Sequence, residues 1–144
     1  MNTVLHAYTV CVLILFLKML AISCYQGYFR LRYLAFTNDD EDAGFFKRTL
    51  SPDELPHVQR AAKVWANDLE NIPLFFVLGA LAVALNTPSE ATVGIFYVFT
   101  SARLLHTLMY LNRLQPWRTI AYGVAVICLL LLAALLGLAV LSGV

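Results

Sequence analysis

Long apolar stretches separated by short polar connections organise this chain. Four segments contain no Asp, Glu, Lys or Arg: residues 1–17, 71–89, 91–102 and 119–144. A membrane-spanning helix needs about 20 largely apolar residues at a rise of about 1.5 Å per residue. The pattern therefore predicts four transmembrane helices, at roughly 3–30, 62–86, 90–112 and 118–142, with a longer cytoplasmic loop at 31–61.

The composition agrees with a membrane protein of one domain. Hydrophobic residues make up 60% of the chain and charged residues 13%, whereas a soluble domain has about 25% charged residues. We expect an all-α membrane protein in which residues 1–144 form a single four-helix bundle. The sequence has no glycine-rich phosphate loop, metal-ligand spacing or nucleic-acid motif, so we expect neither a metal ion nor a nucleic-acid partner.

The basic residues predict the orientation in the membrane. Lys and Arg lie in or beside the first and third connections, whereas the second connection and both ends of the chain have none. Cytoplasmic loops carry the excess of Lys and Arg, so these two connections are predicted to face the cytoplasm. The membrane would be the endoplasmic reticulum in a eukaryote and the inner membrane in a bacterium.

The first connection holds two further features. The acidic run from Asp39 to Asp42 could bind a divalent cation or be solvated, and the lack of the spaced ligands of a calcium loop favours solvation. Ser51 with Glu54 three positions later, together with the neighbouring prolines, predicts a helix start in this region.

Two of the apolar helices carry a polar stripe. The stripes consist of Asn67, Glu70 and Asn71 on the second helix and Arg103, His106 and Tyr110 on the third. A charged side chain in the hydrocarbon region costs roughly 2.5–3.5 kcal/mol, and such residues usually face a bundle interior or a site. At about 100° per residue each stripe lies on one face of its helix. The pattern predicts a polar site inside the membrane, near the cytoplasmic end.

Two interpretations of this polar layer remain open. Glu70 and Arg103 could form a structural ion pair, or the layer could bind a ligand. The donors Arg30, Arg103 and Arg118 outnumber Glu70, which we count as the one carboxylate within the spans, and this excess favours an anionic ligand. Lys18 has no evident partner at its depth, so it could snorkel, pair between subunits or lose its proton.

Four stretches resemble the family of membrane-associated proteins in eicosanoid and glutathione metabolism, in its branch of microsomal glutathione transferases and prostaglandin E synthases. They are FRLRYLAFTN (29–38), VQRAAKVWANDLENIPLFFVLG (58–79), ARLLHTLMYL (102–111) and PWRTIAY (116–122). The string NDLEN followed by a proline and the string RxxHTxxYL are, in combination, specific for this family. Order and spacing match along residues 18–125.

The resemblance implies a homotrimer that binds glutathione between neighbouring subunits near the cytoplasmic face, with a lipophilic substrate arriving from the membrane lipid. Seven residues match positions that contact glutathione in the family: Arg30, Asn67, Glu70, His106, Tyr110, Arg118 and Tyr122. Arg118 also matches the arginine implicated in thiolate activation, and Thr119 stands where the synthase has a serine. Arg103 supplies a further donor for the glutathione carboxylates, and Glu70 an acceptor for its ammonium group.

Departures from the synthase pattern indicate which activity to expect. Trp65 and Ala66 stand where the prostaglandin synthase has histidine and arginine, and a nonpolar residue at 66 is more like the transferase. The aspartate proposed as catalytic in the synthase falls on Glu41 if no gap intervenes. We expect an integral membrane glutathione transferase, or a glutathione-dependent peroxidase, acting on lipophilic electrophiles in detoxification or lipid metabolism.

Three alternatives remain. The first is an isomerase like prostaglandin E synthase. The second is a non-enzymatic lipid-binding or enzyme-activating protein, and the retention of four site residues argues against it: Arg30, Asn67, Glu70 and Arg118. The third is a small ion-coupled carrier that uses Lys18 and Glu70 together with Arg103.

Overall fold

The computed structural model describes residues 3–33 and 55–143, and within these ranges the chain is all-α, as predicted. The four helices are α1 (Thr3–Tyr33), α2 (Pro56–Ala84), α3 (Ser89–Leu111) and α4 (Trp117–Leu141). The bounds of α3 and α4 lie within one residue of the predicted bounds, whereas α1 continues to Tyr33 and α2 begins at Pro56 rather than at position 62. The acidic run at 39–42, including Glu41, and the pair Ser51 and Glu54 lie outside the described residues.

The early start of α2 has a local cause. Leu55 adopts an extended backbone (φ −56°, ψ 135°), and Pro56 follows at the first helical position. A proline there loses no helical hydrogen bond, and its fixed φ favours the helix. Hydropathy marks where the hydrocarbon begins rather than where a helix begins, so α2 includes Arg60 and Lys63 ahead of its apolar part.

Three of the four described helices are long and apolar enough to cross a membrane: α1, α2 and α4, with 31, 29 and 25 residues. These three helices indicate an integral membrane protein. The third helix, α3, has 23 residues, which is also a sufficient length at about 1.5 Å per residue. Its polar side chains include the buried Arg103 and His106, and it is not among the three helices that combine sufficient length with sufficient hydropathy.

The helices form a bundle with α2 and α3 at its centre. These two helices contact each other, and each also packs against both α1 and α4. Within the described part of the chain, α1 and α4 stand at opposite corners and do not contact each other. A site formed between α2, α3 and α4 therefore has no wall from the α1 of the same chain.

An aromatic cluster joins α1 to α2 and α3. The rings of Phe75 and Phe99 are stacked with their centroids 4.4 Å apart, and the ring of Tyr8 lies 5.7 Å from that of Phe96. The Tyr8 hydroxyl donates a hydrogen bond of 2.7 Å to the backbone oxygen of Phe76. This bond holds Tyr8 against α2.

The ring of Tyr8 in α1 packs tightly against Gly79 of α2. A Cβ atom at this position would lie 2.6 Å from a ring carbon of Tyr8, well inside van der Waals contact. The ring cannot easily move away, because its hydroxyl is bonded to the backbone oxygen of Phe76 and the ring packs against Phe96. The absence of a side chain at position 79 is thus what allows this contact.

The short connection between α3 and α4 positions the candidate site. Asn112 is the C-cap of α3, Arg113 takes a left-handed conformation (φ 60°), and the backbone N–H of Leu114 donates to the carbonyl of Met109 at 2.9 Å. This tight turn brings the first turn of α4 beside the last turn of α3.

We expect Gly79→Ala to lower the free energy of unfolding by about 1–3 kcal/mol, the usual cost of overpacking a core. Gly94→Ala in α3 is the matched control, because its Cβ would meet no atom within 4 Å. Replacing a glycine inside a helix by alanine otherwise stabilises by about 0.5–1 kcal/mol. Thermal unfolding in detergent measures the stability of both variants. Equal melting temperatures would mean that Tyr8 moves aside at little cost.

Candidate functional site

A polar cavity of about 250 Å³ lies between α2, α3 and α4, at the end where α3 meets α4. Its lining consists of Asn67, His106, Tyr110, Arg118, Thr119 and Tyr122. All six belong to the set of site residues predicted from the sequence. The fold thus brings one residue of α2, two of α3 and three of α4 to one place.

The first turn of α4 faces the last turns of α3 across this cavity. The guanidinium carbon of Arg118 lies 4.6 Å from the centroid of the Tyr110 ring, a cation–π contact of about 0.5–2 kcal/mol. The ring of His106 lies 5.8 Å from that of Tyr110 and 6.4 Å from that of Tyr122. Both pairs, 106 with 110 and 118 with 122, are four residues apart, so each pair shares one face of its helix.

The lining is rich in hydrogen-bond donors. Arg118 is a permanent cation, and the hydroxyl groups of Thr119, Tyr110 and Tyr122 can each donate. None of the described residues that line the cavity is acidic. Charge-assisted hydrogen bonds to carboxylates are among the strongest in proteins, so this cavity is suited to an anionic group such as a carboxylate or a thiolate.

Arg103, which the sequence predicted as a site residue, does not line the cavity. The side chain is fully buried, and its Nη2 donates to the Asn67 Oδ1 at 2.7 Å and to the Asp68 Oδ1. The alternative interpretation of a Glu70–Arg103 pair is therefore wrong, because the carboxylate beside Arg103 is Asp68. Arg103 is connected to the cavity through its hydrogen bond to Asn67.

Lys18 does have a partner, contrary to the sequence analysis. Its Nζ donates to the Asp68 Oδ2 at 2.5 Å. Asp68 thus bonds to a cation on each side, and all three side chains are at least nine-tenths buried. We name Lys18, Asp68 and Arg103 the buried ion network. It joins α1, α2 and α3.

Sequence reasoning missed Asp68, although a signal for it exists. Val64, Ile72 and Phe75 are fully buried core residues of α2, and position 68 falls between them at the same helical spacing. A residue at that position must face the bundle interior. Glu70, two positions later, instead lies on the exposed surface of α2. The count of one carboxylate within the spans was therefore wrong.

The other predicted site residues lie apart from the cavity. Arg30 is half-buried near the end of α1, and Glu70 is exposed on α2. Neither contributes to the described lining of the cavity. Asn71, the remaining polar residue of the α2 stripe, is buried and donates from its Nδ2 to the backbone oxygen of Asn67 at 2.8 Å. A single chain therefore assembles only part of the predicted set.

Comparison with known proteins identifies the family. The chain belongs to the MAPEG family, which it matches over residues 8–138, as the sequence resemblance predicted. It is 38% identical over 130 residues to microsomal glutathione S-transferase 1 of Rattus norvegicus, covering 85% of this chain and 82% of that protein. It is 33% identical over 122 residues to prostaglandin E synthase of Equus caballus, covering 84% of this chain and 79% of that protein.

We expect Asp68→Asn to lower the free energy of unfolding of the ligand-free protein by roughly 3–5 kcal/mol, because the loss of one partner leaves buried charges uncompensated. Glu70→Gln is the matched control, since it makes the same chemical change two residues away at an exposed position. It should cost less than about 1 kcal/mol. Thermal unfolding in detergent compares the two variants. A similar small loss for both would mean that the network adds little to stability.

Proposed function

We propose that this chain is a membrane glutathione transferase that activates the thiol of glutathione for attack on lipophilic electrophiles. The observation that carries the proposal is the cavity, where a cation, three hydroxyl groups, an imidazole and the Asn67 amide, contributed by three helices, surround a space without an acidic lining residue. The relatives named microsomal glutathione S-transferase 1 support the same activity.

The chemistry required of the site is stabilisation of an anion. A cysteine thiol with a pKa near 8.5 is only a few per cent ionised at pH 7, and the thiolate is the nucleophile. Arg118, with help from Thr119 and Tyr122, stabilises the thiolate while the thiol proton passes to solvent. Lowering the pKa of the glutathione thiol by about 2 corresponds to roughly 2.7 kcal/mol. The sulfur then attacks the electrophilic carbon and expels the leaving group.

The remaining charges of glutathione have partners in the predicted set. Its two carboxylates are matched by the donors of the cavity and by Arg30, and its ammonium group by Glu70. Because Glu70 and Arg30 lie away from the cavity of their own chain, we propose that they complete the cavity of a neighbouring copy. An exposed carboxylate on an apolar helix also needs such a partner.

The proposed assembly is a homotrimer of four-span bundles. The third helix, α3, crosses the membrane with the others, since it is long enough and packs against all three of them. The site lies near the cytoplasmic face, because the basic connections before α2 and before α4 are predicted to be cytoplasmic. The membrane is the endoplasmic reticulum in a eukaryotic cell and the inner membrane in a bacterial one.

A second candidate is an isomerase like prostaglandin E synthase. Relatives of that name are 33–34% identical to this chain, and they match a similar share of it. Trp65 and Ala66 favour the transferase, because the synthase pattern has polar, basic residues at these positions. Incubation with a prostaglandin endoperoxide and glutathione separates the candidates, since the isomerase forms prostaglandin E and the transferase forms a thioether with an aryl halide.

We expect Arg118→Ala to lower kcat for conjugation of glutathione to a chlorodinitrobenzene by about 100-fold, the loss of about 2.7 kcal/mol of stabilisation in the reacting state. Much of the glutathione affinity should remain, because the resting thiol needs this stabilisation less than the thiolate does. Arg113→Ala is the control, since it removes an exposed arginine of the nearby connection. Full turnover in Arg118→Ala would exclude Arg118 from the reaction, and no turnover in the unmodified protein would contradict the transferase proposal.

The shared site predicts complementation between subunits. Glu70→Gln alone should weaken glutathione binding by roughly 1.5–3 kcal/mol, the value of a charge-assisted hydrogen bond. When Glu70→Gln and Arg118→Ala chains are coexpressed, about a quarter of the interfaces receive both intact residues, because a closed ring places copies head to tail. Turnover at low glutathione should then recover to about that fraction. No recovery, or an active monomer by mass measurement, would contradict the shared site.

A further inference from the structure

The two ends of the Asn67 amide point in different directions. Asn67 lines the cavity, and its Oδ1 accepts a hydrogen bond of 2.7 Å from the Nη2 of Arg103. An arginine side chain has donors and no acceptor, so Asn67 must turn its oxygen, and not its NH2 group, toward Arg103. The NH2 group is on the other branch of the same planar amide and is directed away from Arg103.

Asp68 fixes the position of the Arg103 guanidinium. The same Nη2 atom that bonds to Asn67 also donates to the Asp68 Oδ1, and the Asp68 Oδ2 is bonded to Lys18. Arg103 and Asp68 are both 0% exposed, so water does not compete for these bonds, and a hydrogen bond in such an interior is stronger than one in water. Asn67 and Asp68 are consecutive in α2, and Arg103 bridges their side chains.

We propose that Asp68, acting through Arg103, is a positioning residue that holds the Asn67 amide with its NH2 group toward the cavity. The inference rests on the proposed function, because the acceptor that the NH2 group meets is an oxygen atom of glutathione. A side chain that is already ordered loses less conformational entropy on binding, and this raises affinity without a new contact. The buried ion network thereby also sets position 67 as a donor rather than an acceptor.

A purely structural network would affect stability alone, so the test must separate the two roles. Removing one member leaves an uncompensated charge, whereas replacing a whole buried ion network by apolar residues of similar size is often neutral or stabilising. The apolar variant therefore combines Lys18→Met, Asp68→Leu and Arg103→Met. Leucine keeps the branched shape of aspartate, and methionine is an unbranched, flexible side chain that fills much of the space of the two longer ones. Thermal unfolding without glutathione checks the fold.

Glutathione affinity is then measured in a four-member cycle: the unmodified protein, the apolar variant, Asn67→Ala and the combination of the two. The apolar variant should bind glutathione about fivefold more weakly, and Asn67→Ala about tenfold more weakly. The glutathione affinity of the combined variant should be within about twofold of that of Asn67→Ala alone, because without the Asn67 amide the network has nothing to position. The proposal would be overturned if the losses of affinity in the apolar variant and in Asn67→Ala multiplied in the combined variant. An unchanged glutathione affinity in the apolar variant would overturn it as well.

Tyr8→Phe is the control for a general loss of stability. It removes the hydrogen bond to Phe76, so it should lower the melting temperature without changing the glutathione affinity. If the apolar variant does not fold, Arg103→Lys replaces it in the same cycle, since lysine keeps the charge but lacks the forked guanidinium group. Failure of the unmodified protein to bind glutathione would contradict the proposed function itself, whereas multiplicative effects would contradict only the role of Asp68.

Discussion

One buried carboxylate sets the arrangement of three helices. Asp68 of α2 lies between Lys18 of α1 and Arg103 of α3, and it bonds to both. Charges in an apolar interior are stable only when they are paired at short range, so α1, α2 and α3 must meet at this depth. The register of the three helices follows from that requirement. The aromatic cluster around Tyr8 and the close contact at Gly79 then fix how near α1 approaches α2.

The fourth helix is attached in a different way. It packs on α2 and α3 through buried apolar side chains and through the contact of Arg118 with the Tyr110 ring, and it contributes no member to the buried ion network. The polar cavity lies where α4 packs against α2 and α3. Asn67 lines it on the side of the buried ion network, and the first turn of α4 lines it on the opposite side. One wall of the site is thus held by ionic bonds, and the opposite wall by packing.

Much of this architecture could be predicted from the sequence, and the exceptions have physical causes. The apolar stretches locate α3 and α4 closely, but hydropathy could not locate the start of α2 at Pro56, because a helix can extend beyond the hydrocarbon. The family resemblance identified the residues of the cavity. The polar stripe on α3 added Arg103 to this set, and the stripe could not distinguish a side chain that is buried behind Asn67 from one that lines the space. A side chain of that length can reach either Asp68 or Glu70, and only the rotation of α2 decides between them.

The separation of the two walls has a consequence for how such a protein can evolve. Positions 117–122 on α4 carry half of the cavity lining yet lie outside the ionic bonds that join the other helices. Substitutions there change the chemistry offered to a ligand at little cost in folding, whereas substitutions at the buried carboxylate or its partners put the fold at risk. Because selection removes the mutations that lower stability below a threshold, new ligand preferences are most accessible through the first turn of α4.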